Sequence, residues 1–195
     1  SACWIPVRRP RCGVVERSRV GSRRGQRGND RVIVILDAST LINLVNGEVL
    51  AEVLSIPGME FQMSAAVRAE SKSIAQAIDA AIAAGRVSLV DASLISAGAF
   101  REAKRQMQLG DGETECILAA ALIGCAMGCD DRAARKHARQ RLGADKLTGS
   151  IGLLRMSIDA GLLSPGAAFA GYGLMVNRGG YLPQLTSSDF RVSAS

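Results

Sequence analysis

Short β-prone apolar runs alternate with helical patterns along the chain. That alternation predicts an α/β fold: a three-layer α/β/α arrangement with a mainly parallel central sheet and helices on both faces. A second observation is size. A length of 195 residues with 48% apolar content suits one domain with a sizeable core. A third is the placement of acids. Asp37, Glu70, Glu113 and the neighbours Asp130 and Asp131 all stand at the edges of apolar segments.

The elements follow in order. Residues 32–36 (VIVIL) are five β-prone apolar residues in a row, the pattern of a buried parallel strand. Residues 39–54 read as one or two helices broken near Asn46 and Gly47. Pro57 and Gly58 make a turn. Residues 59–63 form a second strand, and Ser64 suits the N-cap of a helix carrying Val67 and Glu70. Ile74, Ile78 and Ile82 recur at helical spacing, so residues 73–84 are a helix closed by Gly85, with those three in the core. Residues 87–90 are a third strand and 95–108 a more polar helix. A turn over 109–112, with Asp111 as candidate N-cap, leads to an apolar helix over 113–124 and a fourth strand over 125–129. Residues 131–142 form a basic helix, and 149–160 another helix stopped by Gly161. A short apolar helix follows in the tail. Residues 141–148 are polar for a last strand.

Charge divides the chain. Residues 1–30 hold eight arginines against Glu16 and Asp30, which accounts for the whole net charge of +6. Of 24 basic and 18 acidic residues in all, 16 of each remain in residues 31–195, so the domain is neutral. The high pI is therefore poor evidence that the domain itself grips nucleic acid. The Arg/Gly-rich residues 1–30 read as a disordered arm, either an aid to RNA binding or a dispensable tail. The domain is expected over residues 31–185, with a tail over 186–195.

No uncharged stretch is long enough to span a membrane. The N-terminus lacks the apolar core of a signal peptide, and five cysteines form an odd set. A cytoplasmic protein with reduced thiols is the expectation. A single histidine, His137, and no Gly-x-Ser-x-Gly argue against a serine hydrolase. Asp37-x-Ser39 is not the Asp-x-Asp of an aspartyl-phosphate phosphatase. No glycine-rich dinucleotide loop follows the first strand.

In α/β sheets, sites form beyond the carboxyl ends of parallel strands. Carboxylates gathered there repel one another unless a cation joins them. Such hard oxygen ligands suit Mg²⁺ or Mn²⁺. Metal-assisted phosphodiester hydrolysis needs such a cluster. Asp131 also suits a helix N-cap, Glu113 the dipole at a helix start, and Glu70 a solvated face.

Several segments resemble the PIN-domain family. VIVILDASTLI over 32–42 is similar to its opening strand and Asp-x-Ser. VRAE over 67–70 resembles its Val-x-x-Glu, and LGDGETECILAA over 109–120 the Gly-Glu-x-Glu segment of one subgroup. CDDRAAR over 129–135 resembles its Asp-Asp-x-x-Ala-Arg, and TGSIGLL over 148–154 and AGLL over 160–163 its C-terminal motifs. The resemblance covers about residues 31–185, in order.

It implies a metal-dependent ribonuclease that cuts single-stranded RNA, often the toxin of a VapBC-type toxin–antitoxin pair. Asp37, Glu113, Asp131 and Asp130 would be metal ligands for Mg²⁺ or Mn²⁺, with Asp131 a better match than Asp130 to the family's fourth acid. Glu70 would bind metal or orient water, and Ser39 would support the ligands with its hydroxyl. Glu115, two residues beyond Glu113, points elsewhere on a helix. The resemblance implies an antitoxin protein and a homodimer as partners. A catalytically degenerate RNA- or protein-binding module and a housekeeping RNA-processing nuclease are the alternatives. Arg132, Arg135, Lys136 and Arg139 share one helical face, either an RNA-phosphate contact or a solvated basic helix.

Overall fold

The computed structural model describes residues 31–191; the arm expected over 1–30 and the last four residues lie outside them. Five strands, β1 (Val32–Leu36), β2 (Met59–Met63), β3 (Val87–Leu89), β4 (Ala126–Gly128) and β5 (Leu147–Thr148), form one sheet in the order β3-β2-β1-β4-β5. Every neighbouring pair is parallel. The helices among the described residues are α1 (Ala38–Asn46), α2 (Leu50–Val53), α3 (Ala65–Glu70), α4 (Ala75–Ala83), α5 (Ala97–Met107), α6 (Asp111–Ile123), α7 (Arg132–Leu142), α8 (Ser150–Asp159) and α9 (Pro165–Asn177). They flank the sheet, as the expected α/β/α architecture requires.

The chain forms β1, β2 and β3 in order outward on one side, then returns to place β4 on the other flank of β1. The order reverses between β1 and β4, and that is where open α/β sheets form their crevice. Val34, Ile35 and Leu36 are all buried. Successive strand residues point to opposite faces, so both faces of β1 are covered. Each such side chain contributes about 1.5–3 kcal/mol by leaving water. In α6, five consecutive residues, Cys116–Ala120, are buried. The middle of this helix is enclosed on all sides, which is why that stretch is apolar without a polar face, while Leu122 in its last turn is exposed.

The break between α1 and α2 has a packing cause. A Cβ on Gly47 would lie 2.6 Å from Met175 Cε and 3.0 Å from the Gly171 carbonyl. Helix α9 therefore rests on the break itself.

Four expectations are corrected. The N-cap of α6 is Gly110, and Asp111 is already in the helix; its carboxylate pairs with Lys104 instead. The last strand shrinks to two residues, paired with Met127 and Gly128. The tail helix α9 is 13 residues long rather than short. The packed unit also continues past residue 185. A 3-10 turn, Ser187–Phe190, buries Phe190 completely. Its ring lies 5.8 Å from Phe169 and 5.6 Å from Tyr172, centroid to centroid. Such aromatic pairs add about 0.5–1.5 kcal/mol beyond area burial.

Candidate active site

Asp37 leaves the end of β1 at the reversal point. Its backbone N–H still bonds the Gly128 carbonyl of β4 at 3.0 Å, so the residue is fixed by the sheet. It is also the N-cap of α1, accepting the Thr40 N–H at 2.8 Å. The Ser39 hydroxyl lies 3.0 and 2.9 Å from its two carboxylate oxygens. Ser39 Oγ in turn accepts the backbone N–H groups of Asp130 at 3.1 Å and Asp131 at 3.2 Å. One hydroxyl thus joins the ends of β1 and β4 and brings three of the five acids together.

The neighbours Asp130 and Asp131 are used differently. Asp131 is the N-cap of α7 and accepts the Ala134 N–H at 2.7 Å through one oxygen, Oδ1. Asp130 accepts from Asn43 Nδ2 at 2.9 Å, the Ser150 N–H at 2.9 Å and the Ser150 hydroxyl. Both its oxygens are engaged, and it ties α1 to the start of α8. Gly149 makes room for this. A Cβ there would collide with Asp130 Oδ1 and sit 3.1 Å from Arg135 Nη1.

Glu70 and Glu113 are each held by a backbone donor. Glu70 Oε1 accepts the Gly112 N–H at 3.0 Å, and Glu113 Oε2 the Gly110 N–H at 2.6 Å. Both donors belong to the start of α6. Cys116, three residues beyond Glu113, approaches the Leu36 carbonyl at 3.7 Å, so α6 runs beside the end of β1. Glu115 points away, as expected, and accepts the Ala66 N–H at 3.1 Å. Helices α3 and α6 thus each receive a glutamate of the other at a first-turn N–H.

The electrostatics of Asp37 are unusual. It is fully buried, yet the ion pairs among the described residues, Arg68–Asp79, Lys104–Asp111, Arg105–Glu102 and Arg178–Glu48, include none of the five acids. Burial pushes its carboxyl up to about 6, against the lowering effect of the neighbouring Cys129 thiol and of the hydrogen bonds from Thr40 and Ser39. Burial and the Asp37 charge likewise push the Cys116 and Cys129 thiols up, so both are neutral. A buried carboxylate without a cationic partner is costly. An all-oxygen donor set of this kind fits a hard divalent cation. Among the described residues, however, no three His, Cys, Asp or Glu side chains converge as a ready metal-holding group. Glu70 and Glu113 would have to exchange their backbone donors for the ion.

The basic helix face divides too. Arg135 donates to the Cys129 and Thr148 carbonyls, both at 2.5 Å, and clamps the ends of β4 and β5. Arg132, Lys136 and Arg139 are exposed. Asn43 and Ser150 were not legible as site residues. The available signal was Asn43 itself, a polar residue one turn after Ser39 on a helix whose neighbours are apolar.

A PIN-domain family model matches residues 33–188. No curated protein and no solved structure matches the chain.

Proposed function

The chain belongs to the PIN-domain family, whose members are generally nucleases that use divalent metal ions, and on that premise we propose that it is an Mg²⁺- or Mn²⁺-dependent endoribonuclease acting on single-stranded RNA. The observation that carries this reading is the uncompensated Asp37, joined by Ser39 to Asp130 and Asp131 at the reversal point of the sheet.

Asp37 and Asp131 hold the cation, since Asp131 Oδ2 takes no hydrogen bond among the described residues. Glu113 completes the set, and Glu70 orients the attacking water. Asp130 buttresses the group through Asn43 and Ser150. A divalent ion bound there supplies the positive charge that polarises the phosphoryl group and makes water more acidic. Ser39 keeps the Asp37 carboxylate aimed and ties it to the β4 end. Arg132, Lys136 and Arg139 attract the strand. The products carry 5′-phosphate and 3′-hydroxyl ends.

The same reading makes the chain the toxin of a type II pair. Its partners are an inhibitory antitoxin protein and a second copy of itself. The support is the likeness of residues 32–42, 109–120 and 129–135 to that subgroup. Growth arrest on expression without an antitoxin is the expected outcome. A second reading, an RNA-binding module that does not cut, is favoured by the backbone donors that occupy Glu70 and Glu113 and by the lack, among the described residues, of three converging acidic, histidine or cysteine side chains.

Incubation of a mixed RNA pool with metal-loaded and chelated protein separates the two. The nuclease reading predicts 5′-phosphorylated fragments that vanish with the chelator. Intact RNA with the metal-loaded protein favours the binding module.

A further inference from the structure

A cleft of about 920 Å³ opens beside the acidic group, and Asp130 forms part of its wall. Arg132, Lys136 and Arg139 of α7 and Arg155 of α8 line it. All four are exposed and none is in an ion pair among the described residues. Residues 31–195 are neutral in sum, so this gathering of cations is local.

At the same cleft stands Tyr181, 92% exposed. Among the described residues it is the most exposed large apolar side chain. Its backbone is fastened on both sides. Before it, the Gly180 N–H bonds the Met175 carbonyl at 2.8 Å. After it, the Tyr172 hydroxyl donates to the Pro183 carbonyl at 2.8 Å and accepts the Leu185 N–H at 3.0 Å. A Cβ on Gly180 would lie 2.7 Å from Asn43 Oδ1, so this loop packs on the residue that holds Asp130. Arg155 also donates Nε to the Asp189 carbonyl at 3.1 Å. An aromatic ring left in water on an anchored loop, beside cations that form no ion pair among the described residues, has the composition of a single-strand binding surface.

We propose that Tyr181 is a base-stacking platform at this cleft, on which a single-stranded RNA lays a base while Arg132, Lys136, Arg139 and Arg155 take the adjacent phosphates. The identity of the strand as RNA rests on the ribonuclease reading above. Stacking on one face of a ring is tolerant of sequence but needs an unpaired base. Tyr181 therefore selects single strands over duplex, whereas the cations alone do not.

The test is fluorescence anisotropy with a labelled oligouridylate and a labelled RNA duplex, using the full chain in chelator so that nothing is cut. Tyr181→Ala is expected to weaken single-strand binding roughly 5- to 100-fold. Tyr181→Trp keeps the affinity, and neither variant changes duplex binding. The salt slope of Tyr181→Ala stays as in the wild type, while Lys136→Ala with Arg139→Ala lowers it by about 0.7 per cation removed. Unchanged single-strand affinity in Tyr181→Ala overturns the assignment. So does an equal loss in Tyr181→Trp or on the duplex, and so does a wild type that binds no single strand. Because no metal is present, failure of the cleavage reading leaves these outcomes readable on their own.

Discussion

Ser39 donates its one proton to the Asp37 carboxylate at 2.9 Å and spends both lone pairs on the backbone N–H groups of Asp130 and Asp131. A hydroxyl has one donor and two acceptor positions, so its capacity is fully used. The ends of β1 and β4 are joined here by a side chain, at the place where strand order reverses.

Ser39→Ala leaves two backbone donors without their acceptor and takes one hydrogen bond from the Asp37 carboxylate, which keeps the Thr40 N–H. Removing one partner of a buried hydrogen bond costs about 1–3 kcal/mol. Urea denaturation should show a loss in that range. Ser39→Thr keeps the hydroxyl and should recover part of it. Equal losses for both variants would mean that packing, not the hydroxyl, matters at this position.

Asp130 and Asp131 are adjacent, yet the structure separates their tasks. Asp130→Asn should chiefly lower stability, because its oxygens hold Asn43 and Ser150. Asp131→Asn should chiefly lower Mn²⁺ affinity, because an asparagine still caps α7. Thermal melts and calorimetric metal titration on both variants check this. The reverse ranking would make Asp130 the ligand.

Asp37 gives the metal-free protein a particular pH dependence. Its pKa in the fold is about 6, above the ordinary 3.8. Between these values the folded state binds more protons than the unfolded chain. Stability from this group is therefore greatest below about pH 4, falls as pH rises to about 6, and is level above. A gap of roughly two units corresponds to about 3 kcal/mol. Asp37→Asn removes the buried charge, so in chelator it should be more stable than the wild type at pH 7.5. Near pH 4 the difference should close. Melts at both pH values test this, and a gap that widens toward acid would contradict it.

Arg135 and Lys136 should respond in opposite ways. Arg135→Ala removes the clamp on the Cys129 and Thr148 carbonyls and should cost about 1–3 kcal/mol of stability. Lys136→Ala should leave stability within about 0.5 kcal/mol, as exposed substitutions do. It should weaken RNA binding in proportion to the salt slope. A Lys136→Ala protein with unchanged RNA affinity would remove the basic face from the binding surface.

What the chain revealed before its structure was mostly local. Five apolar residues before Asp37 mark a strand and its end, and Ser64 before Val67 marks a helix start. The sites of the acids followed from those elements. Their hydrogen bonds did not, because those depend on partners far away in sequence. The Glu70 contact spans 42 residues to Gly112, and Glu115 reaches back 49 to Ala66. Asp131 was open to two readings, and it is the N-cap of α7 while its second oxygen takes no hydrogen bond among the described residues. Composition averaged the cleft away: a neutral domain conceals cations gathered from α7 and α8, with Tyr181 brought to them by the loop after α9. Phe190 escaped the domain boundary because its burial depends on Phe169 and Tyr172 rather than on any local pattern.

The most direct measurement is cleavage of a mixed RNA pool with Mn²⁺ by the wild type and by Asp37→Asn, both shown to be folded. Fragments from the wild type alone, abolished by chelator, are the predicted result. Equal cleavage by both proteins, or none by metal-loaded wild type, would contradict a carboxylate-centred nuclease at the junction of β1 and β4.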